Sequence, residues 1–208
     1  MIRLNTLPLN FEPRHEIFLK LSAHGRGLFL IIVIVITGAF AFNYYTEKKE
    51  QEEDRVFGLL TDYPIKGQVY IENFATEDVI KEVERTLKAK KYVENIEYIS
   101  KEQALKELKT RFKNVDNIFE GYEGKNNILY DSYRFTIKLK NIGEFNKEYF
   151  DEIKSDLKKI TSVDKVGIDG DVYLDVYEEY GIEGLEEYVK SDDVLEAMKK
   201  LNKLKVEK

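Results

Sequence analysis

The chain has 208 residues and a formal net charge of −6, and 35% of its residues are charged. It contains no cysteine, which excludes disulfides, thiolate zinc sites and cysteine nucleophiles. Its two histidines, His15 and His24, precede the main part of the chain, which therefore holds no histidine-dependent triad or histidine-ligated metal. The acidic balance argues against nucleic-acid binding.

The first predicted element is an uncharged segment over 27–45, with the sequence GLFLIIVIVITGAFAFNYY. A helix of this length spans about 28 Å, which is close to the hydrocarbon thickness of a bilayer. A cleaved signal peptide is the alternative, but the apolar run is long, starts late and contains its own cleavage-like stretch. We therefore predict a retained transmembrane helix.

The flanks of this helix predict its orientation. Residues 1–26 carry four basic and two acidic side chains, and basic arms stay on the cytoplasmic side of a membrane. We expect a cytoplasmic arm over 1–26 and an extracytoplasmic remainder. The charged segment that follows the span, 46–66, is predicted to be a stalk that extends the membrane helix through solvent.

Alternating strand and helix patterns fill the next hundred residues. Segments rich in strand-forming residues lie at 67–74, 93–99, 132–141 and 163–168. Thr76 and Ser100 are typical N-cap residues, and each precedes apolar residues at helical spacing. A third helix is predicted over 144–160.

The two halves of this region contain similar sequences, LKAKKYVENI and LKKITSVDKV. Each of them covers the end of a predicted helix and the start of a predicted strand. We predict an α+β domain over 67–168 that is ferredoxin-like, with duplicated βαβ units and helices on one face of the sheet. A small helical insertion, at about 109–130, interrupts it. One transmembrane helix precedes it.

Three stretches carry a family resemblance: VYIENFATEDVIKEVERTL, VENIEYISKEQALKELKTRF and NNILYDSYRFTIKLKN. They include a strand that ends in a hydrophobic-Ser-Lys-Glu-x-Ala-Leu motif at Ile99–Leu105. With the span ahead of them, they resemble the extracellular domain of FtsX, the bacterial cell-division permease. That family has four membrane spans and this chain shows only the first, so we expect a single-span relative or a shortened chain.

The resemblance implies a binding module and not an enzyme. FtsX-type proteins pair with a cytoplasmic ATPase, FtsE, and their outer domain binds and activates peptidoglycan hydrolases or the coiled-coil adaptors of those hydrolases. In the family, a small helical lobe carries exposed apolar residues for this contact. The partner-binding residues that match in this chain are Phe112, Ile118, Phe119 and Tyr122.

The remaining residues, 169–208, form an acidic C-terminal extension. Its stretch IDGDVYLD has aspartates beside a glycine, as calcium loops do, but a solvated turn into an edge strand is the preferred interpretation. Tyrosines that could stack on glycan are expected instead to pack against neighbouring elements. They are Tyr173, Tyr177, Tyr180 and Tyr188.

A last amphipathic helix is predicted from an apolar stripe formed by Val194, Leu195, Met198, Leu201 and Leu204. Docking on the domain's own sheet is preferred to association with a partner or a second copy.

The sequence thus predicts a membrane-anchored extracytoplasmic module, without metal or cofactor, that regulates or positions peptidoglycan hydrolases in cell division. The alternative is a structural membrane anchor or a self-assembling subunit that has no hydrolase partner.

Overall fold

The computed structural model describes residues 23–112, 119, 121–191, 197 and 201. It begins with a long helix, α1 (Ala23–Asp62). The elements that follow, in chain order, are β1 (Ile65–Ile71), α2 (Glu77–Lys88), β2 (Val93–Ile99), α3 (Lys101–Arg111), β3 (Ser132–Ile137), α4 (Lys147–Lys158), β4 (Val163–Ile168) and α5 (Gly170–Lys190).

The apolar part of α1 agrees with the predicted membrane segment. Within the described part of the chain, one helix is long and apolar enough to cross a bilayer, from Phe29 to Asp62, and its apolar window is fully exposed. Exposed apolar side chains such as Ile34 and Val35 are stable on a helix surface that faces lipid. The structure therefore places a candidate membrane span where the sequence predicts one.

The four strands form a single antiparallel sheet in the order β2-β3-β1-β4. This is the order of the ferredoxin-like, split βαβ topology, so the predicted fold class is confirmed. The strands β2 and β4 match the predicted boundaries, and β1 begins at Ile65, two residues before the predicted start.

One face of the sheet carries the hydrophobic core. Alternate residues of the central strands point into it, including Val69 on β1 and Phe135 on β3, and both are almost fully buried. The apolar stripes of α2 and α4 cover this face through Leu87 and Phe150. Gly67 lies directly under the Phe135 ring, because a Cβ atom at position 67 would be 2.4 Å from it.

The last turns of α1 differ from the predicted solvated stalk. Val56 and Leu60 are buried and belong to the same core as β1. Tyr177 Oη also donates a hydrogen bond to Glu52 Oε1, at 3.2 Å. The charged residues around Val56 and Leu60 obscured this stripe in the sequence, although residues four apart share one face of a helix.

The segment after β4 also differs from its prediction. Instead of a turn into an edge strand, the residues after Asp169 form α5, which is interrupted by a kink at Gly181 with φ of 70°. Tyr173, Leu174 and Val176 are buried in the core. The segment forms a helix despite its turn-like composition, because a helix pairs its own backbone N–H and C=O groups while its apolar side chains are buried against the sheet.

The predicted C-terminal stripe is described in part. Leu201 is fully buried, belongs to the core cluster and packs close to Gly184 of α5. This burial agrees with docking on the chain's own domain. The other stripe residues lie outside the described residues, namely Val194, Leu195, Met198 and Leu204.

Both predicted N-caps are confirmed. Thr76 Oγ1 accepts a hydrogen bond from Val79 N at 3.4 Å, and Ser100 Oγ accepts one from Gln103 N at 3.1 Å. Helix α3 therefore begins immediately after β2, with Ser100 as the single residue between them. Leu105 is the buried residue of this helix.

We predict that Leu60→Ala destabilises the domain by about 2–5 kcal/mol, because it leaves a cavity in the core. Gly58→Ala, two residues away on the same helix, is the matched control. A Cβ atom there meets nothing within 4 Å, so replacing this helical glycine should stabilise the fold by about 0.5–1 kcal/mol. Denaturant unfolding of the fragment from Glu52 onward measures both changes. Equal stability of the Leu60 variant and the parent would contradict a core role for α1.

Substitutions at the start of α3 should have graded effects. Ser100→Ala removes the N-cap acceptor and should cost about 1 kcal/mol, whereas Ser100→Thr should retain most of the cap. Leu105→Ala removes buried apolar volume and should cost about 2–5 kcal/mol. The free energy of unfolding of each variant ranks the three changes, and a larger loss for Ser100→Ala than for Leu105→Ala would contradict this packing.

Candidate functional site

The predicted insertion, 109–130, starts in the last turn of α3 and returns to the start of β3; we refer to it as the insertion lobe. Helix α3 contacts the face of the sheet opposite the core, where its Glu107 pairs with Arg134 of β3. Ile99 and Glu97 pair with Ser132 and Arg134, which alternate with the core-facing residues of β3. The lobe is therefore attached to the face that the other helices leave free.

Polar contacts join the start of α3 to the residues where the lobe ends and β3 begins. The Asp131 carboxylate accepts a hydrogen bond from Lys101 N at 3.0 Å, and Asn127 Nδ2 donates one to Lys101 O at 2.8 Å. Leu129 N donates to Asn127 Oδ1 at 3.0 Å, and the Asn127 side chain is buried. These contacts close the chain where it leaves and re-enters the sheet, so the base of the lobe is fixed relative to β3.

Ion pairs add a second attachment. Glu107 on α3 pairs with Arg134 on β3, and this hydrogen bond lowers the pKa of the Glu107 carboxyl. Lys109 pairs with Glu123 across the lobe and lowers the pKa of Glu123. These charged side chains are therefore committed to contacts within the domain.

The apolar side chains of the lobe remain accessible. Phe112 is 48% exposed and Tyr122 is 41% exposed, while Phe119 is half-buried. The Phe112 and Phe119 rings lie with centroids 6.2 Å apart, and Tyr122 N donates to Phe119 O at 3.3 Å. The structure thus brings three of the predicted residues together, whereas Ile118 lies outside the described residues.

Two further exposed apolar residues were not predicted from the sequence, Ile128 at the end of the lobe and Phe74 outside it. Ile128 is 67% exposed in the segment that returns to β3. Phe74 is fully exposed in the turn between β1 and α2 and has φ of 74°. The sequence signal was a large apolar residue directly after an asparagine, Ile128 after Asn127 and Phe74 after Asn73.

The aspartates and tyrosines that the sequence offered as calcium ligands or glycan-stacking residues make contacts within the domain. Asp171 pairs with Lys154 of α4. Tyr173 is buried, and burial together with the nearby Asp169 raises its pKa to about 12. The other three tyrosines pack around the core, namely Tyr177, Tyr180 and Tyr188. In the described ranges, no group of three or more acidic or histidine side chains is arranged to hold a metal ion.

The chain was compared with known proteins. The family model of the FtsX extracellular domain matches residues 65–177, which is more than half of the chain and extends into α5. A search of curated proteins found no matching relative.

Two solved structures are similar to part of the chain. One is the crystal structure of extracellular domain 1 of FtsX from Streptococcus pneumoniae in complex with undecyl-maltoside, with 24% identity and a TM-score of 0.39 over 50% of this chain and 92% of that chain. The other is the solution structure of the large extracellular loop of FtsX from the same organism, with 21% identity and a TM-score of 0.34 over 50% and 97%. On the match of the family model to residues 65–177, the chain belongs to the FtsX extracellular-domain family.

Proposed function

We propose that this chain is a membrane-anchored interaction module whose extracytoplasmic domain binds a peptidoglycan hydrolase, or a coiled-coil adaptor of one, and so positions or regulates that hydrolase in cell division. Family membership associates the chain with the membrane and with cell division. The observation that carries the proposal is the exposure of Phe112 and Tyr122 on a lobe with a fixed base.

The chemistry of the lobe suits protein binding. Exposed aromatic side chains that become buried in a contact dominate the energetics of many interfaces, and Tyr is enriched among such residues. The pair that attaches α3 to the sheet, Glu107 with Arg134, and the pair across the lobe, Lys109 with Glu123, are used within the domain. Accessible rings on a surface favour contact by apolar burial over acid–base catalysis, so we infer that the module is not an enzyme.

The fixed base of the insertion lobe also favours protein binding. Ordering a loop upon association costs free energy, and a surface already held in place avoids part of that cost. The hydrogen bonds of Asn127 and Asp131 hold the lobe at its attachment points before any partner arrives. We infer that the lobe presents Phe112, Phe119 and Tyr122, together with Ile118, as its contact residues.

The proposed topology places the basic arm in the cytoplasm and everything after the span outside. We infer that residues 1–26, on the cytoplasmic side, are accessible to an FtsE-like ATPase. The excess of basic residues in the arm supports this orientation.

Cysteine labelling tests the orientation cleanly, because the native chain has no cysteine. We expect a membrane-impermeant maleimide to label Thr161→Cys in intact cells, since Thr161 is exposed on the domain. Asn10→Cys, in the basic arm, should be labelled only after the cells are lysed. The reverse pattern would contradict an extracytoplasmic domain.

The role of the lobe is tested with the double variant Phe112→Ala and Tyr122→Ala in the full chain. The photoreactive residue p-benzoylphenylalanine, placed at position 119 in cells, first identifies the partner by crosslinking and mass spectrometry. We expect the double variant to weaken binding of that purified partner at least roughly tenfold, as loss of interface aromatic residues does. Its melting temperature should change little, because both side chains are exposed.

Tyr63→Ala is the matched control, since Tyr63 is an aromatic residue of similar exposure, 36%, that follows α1 directly and lies outside the lobe. It should leave affinity unchanged. Crosslinking of a second copy of the chain alone would favour the self-assembling anchor. A lower melting temperature with binding retained would show that the lobe residues stabilise the domain and do not contact a partner.

A further inference from the structure

The turn between β1 and α2 holds an aromatic residue in an unfavourable backbone conformation. Phe74 has φ of 74°, a region that residues other than glycine and asparagine rarely adopt. Asn73, which tolerates this region better, immediately precedes it in the chain. A glycine at position 74 would form the same turn without strain.

Nothing that Phe74 contacts within the domain offsets this strain. Its side chain is fully exposed, so the ring gains no burial. The turn itself is closed by backbone, through Ala75 N donating to Glu72 O at 3.3 Å, and does not use the ring. Strained residues that persist without local compensation are concentrated at functional sites, which makes this outlier a reason to look for a contact.

The turn emerges beside the insertion lobe. Ile71 N donates to Asp131 O at 2.9 Å, so the end of β1 is bonded to the residue that closes the base of the lobe. Three residues before Asp131 lies Ile128, which is 67% exposed. Phe74 and Ile128 therefore lie at the same end of the sheet, and we call them the sheet-end pair.

Acidic residues flank the sheet-end pair. Four exposed acidic residues lie in or next to the segments at this end of the sheet, namely Glu72, Asp78, Glu102 and Asp164. Lys165, at the same end, lies over the Tyr130 ring at 5.2 Å. An excess of exposed acidic residues at the same end of the sheet as these apolar side chains favours a basic partner over an anionic membrane surface.

We propose that Phe74, together with Ile128 from the end of the insertion lobe, forms a second docking point for the protein that binds Phe112 and Tyr122, and that this point receives an apolar segment of that protein flanked by lysine or arginine. The inference rests on the proposed function, because it assigns a larger footprint to the same partner. It explains why a phenylalanine occupies a position where glycine would be less strained.

Crosslinking from two positions tests the shared footprint in the full chain, in its native membrane. The photoreactive residue p-benzoylphenylalanine is placed at position 74, at position 119 in the lobe, and at position 172 as a control. Val172 is a matched site, because it is apolar and 43% exposed but lies on α5. We expect positions 74 and 119 to capture the same protein and position 172 to capture none of it.

Substitutions of Phe74 and its neighbours then distinguish the effect of backbone strain on stability from the effect of the side chain on partner binding. In the full chain in nanodiscs, Phe74→Gly should raise the melting temperature by about 2–4 °C, because it relieves the backbone strain. The same change should weaken the affinity for the captured protein at least roughly tenfold. Glu72→Gln should weaken binding less, and its effect should fade at high salt, as expected of a rim charge. Val172→Ala should change neither property.

The outcomes distinguish this inference from the function on which it rests. If position 119 captures a partner whose affinity survives Phe74→Gly, the second docking point is wrong and the role of the lobe stands. If position 74 captures the partner and position 119 does not, the role of the lobe is wrong. Capture of a different protein or of lipid at position 74, or of nothing at either position, overturns the inference.

Discussion

The centre of the sheet depends on the missing side chain at Gly67. A Cβ atom there would lie 2.4 Å from the Phe135 ring, so the two central strands pair as they do only because position 67 leaves that space. Phe135 is almost fully buried and fills the middle of the core. Strand β1 also pairs with β4, so the contact of Gly67 with Phe135 positions the strand that connects the two halves of the duplicated fold.

A single-sided core determines where function can be placed. Helices α2, α4 and α5 and the end of α1 all contribute to the cluster on one face. The lobe is attached to the other face through α3, whose Leu105 is buried, and through the polar contacts at its base. A segment attached in this way can change its sequence or conformation at a lower free-energy cost than a core element. Partner specificity is therefore separated from the stability of the sheet.

Much of the fold could be predicted because its elements show regular apolar spacing. Alternation in β3 places Tyr133, Phe135 and Ile137 on the core face, and the structure agrees. Helix α5 could not be predicted in the same way, because its kink at Gly181 divides the buried residues into two sets that share no single period. Its first glycine reads as part of a turn, whereas the structure needs it for packing, since a Cβ atom at Gly170 would collide with Phe150.

The candidate site was predictable only by analogy. The family resemblance points to an insertion with apolar residues, but a list of residues does not say which are exposed. That property depends on the path of the chain, which leaves Phe112 accessible at the end of α3 while Leu105, two turns earlier, is buried. Phe74 was missed for a related reason, because its exposure and its φ are properties of a turn whose geometry no periodic pattern reports.

The two proposed contacts present apolar residues by different physical means. The lobe holds its rings on a segment closed at the base, whereas Phe74 extends from the end of the most constrained strand of the sheet. Strand β1 is bonded on both sides up to Ile71, and its pairing with β4 shifts register between Tyr70 and Ile71, a bulge of the kind that re-aims a side chain. The backbone that leads into the turn is therefore held by hydrogen bonds on both sides, so the turn is positioned before any partner binds. The free-energy cost of presenting Phe74 falls on the folding of the domain and not on the binding step.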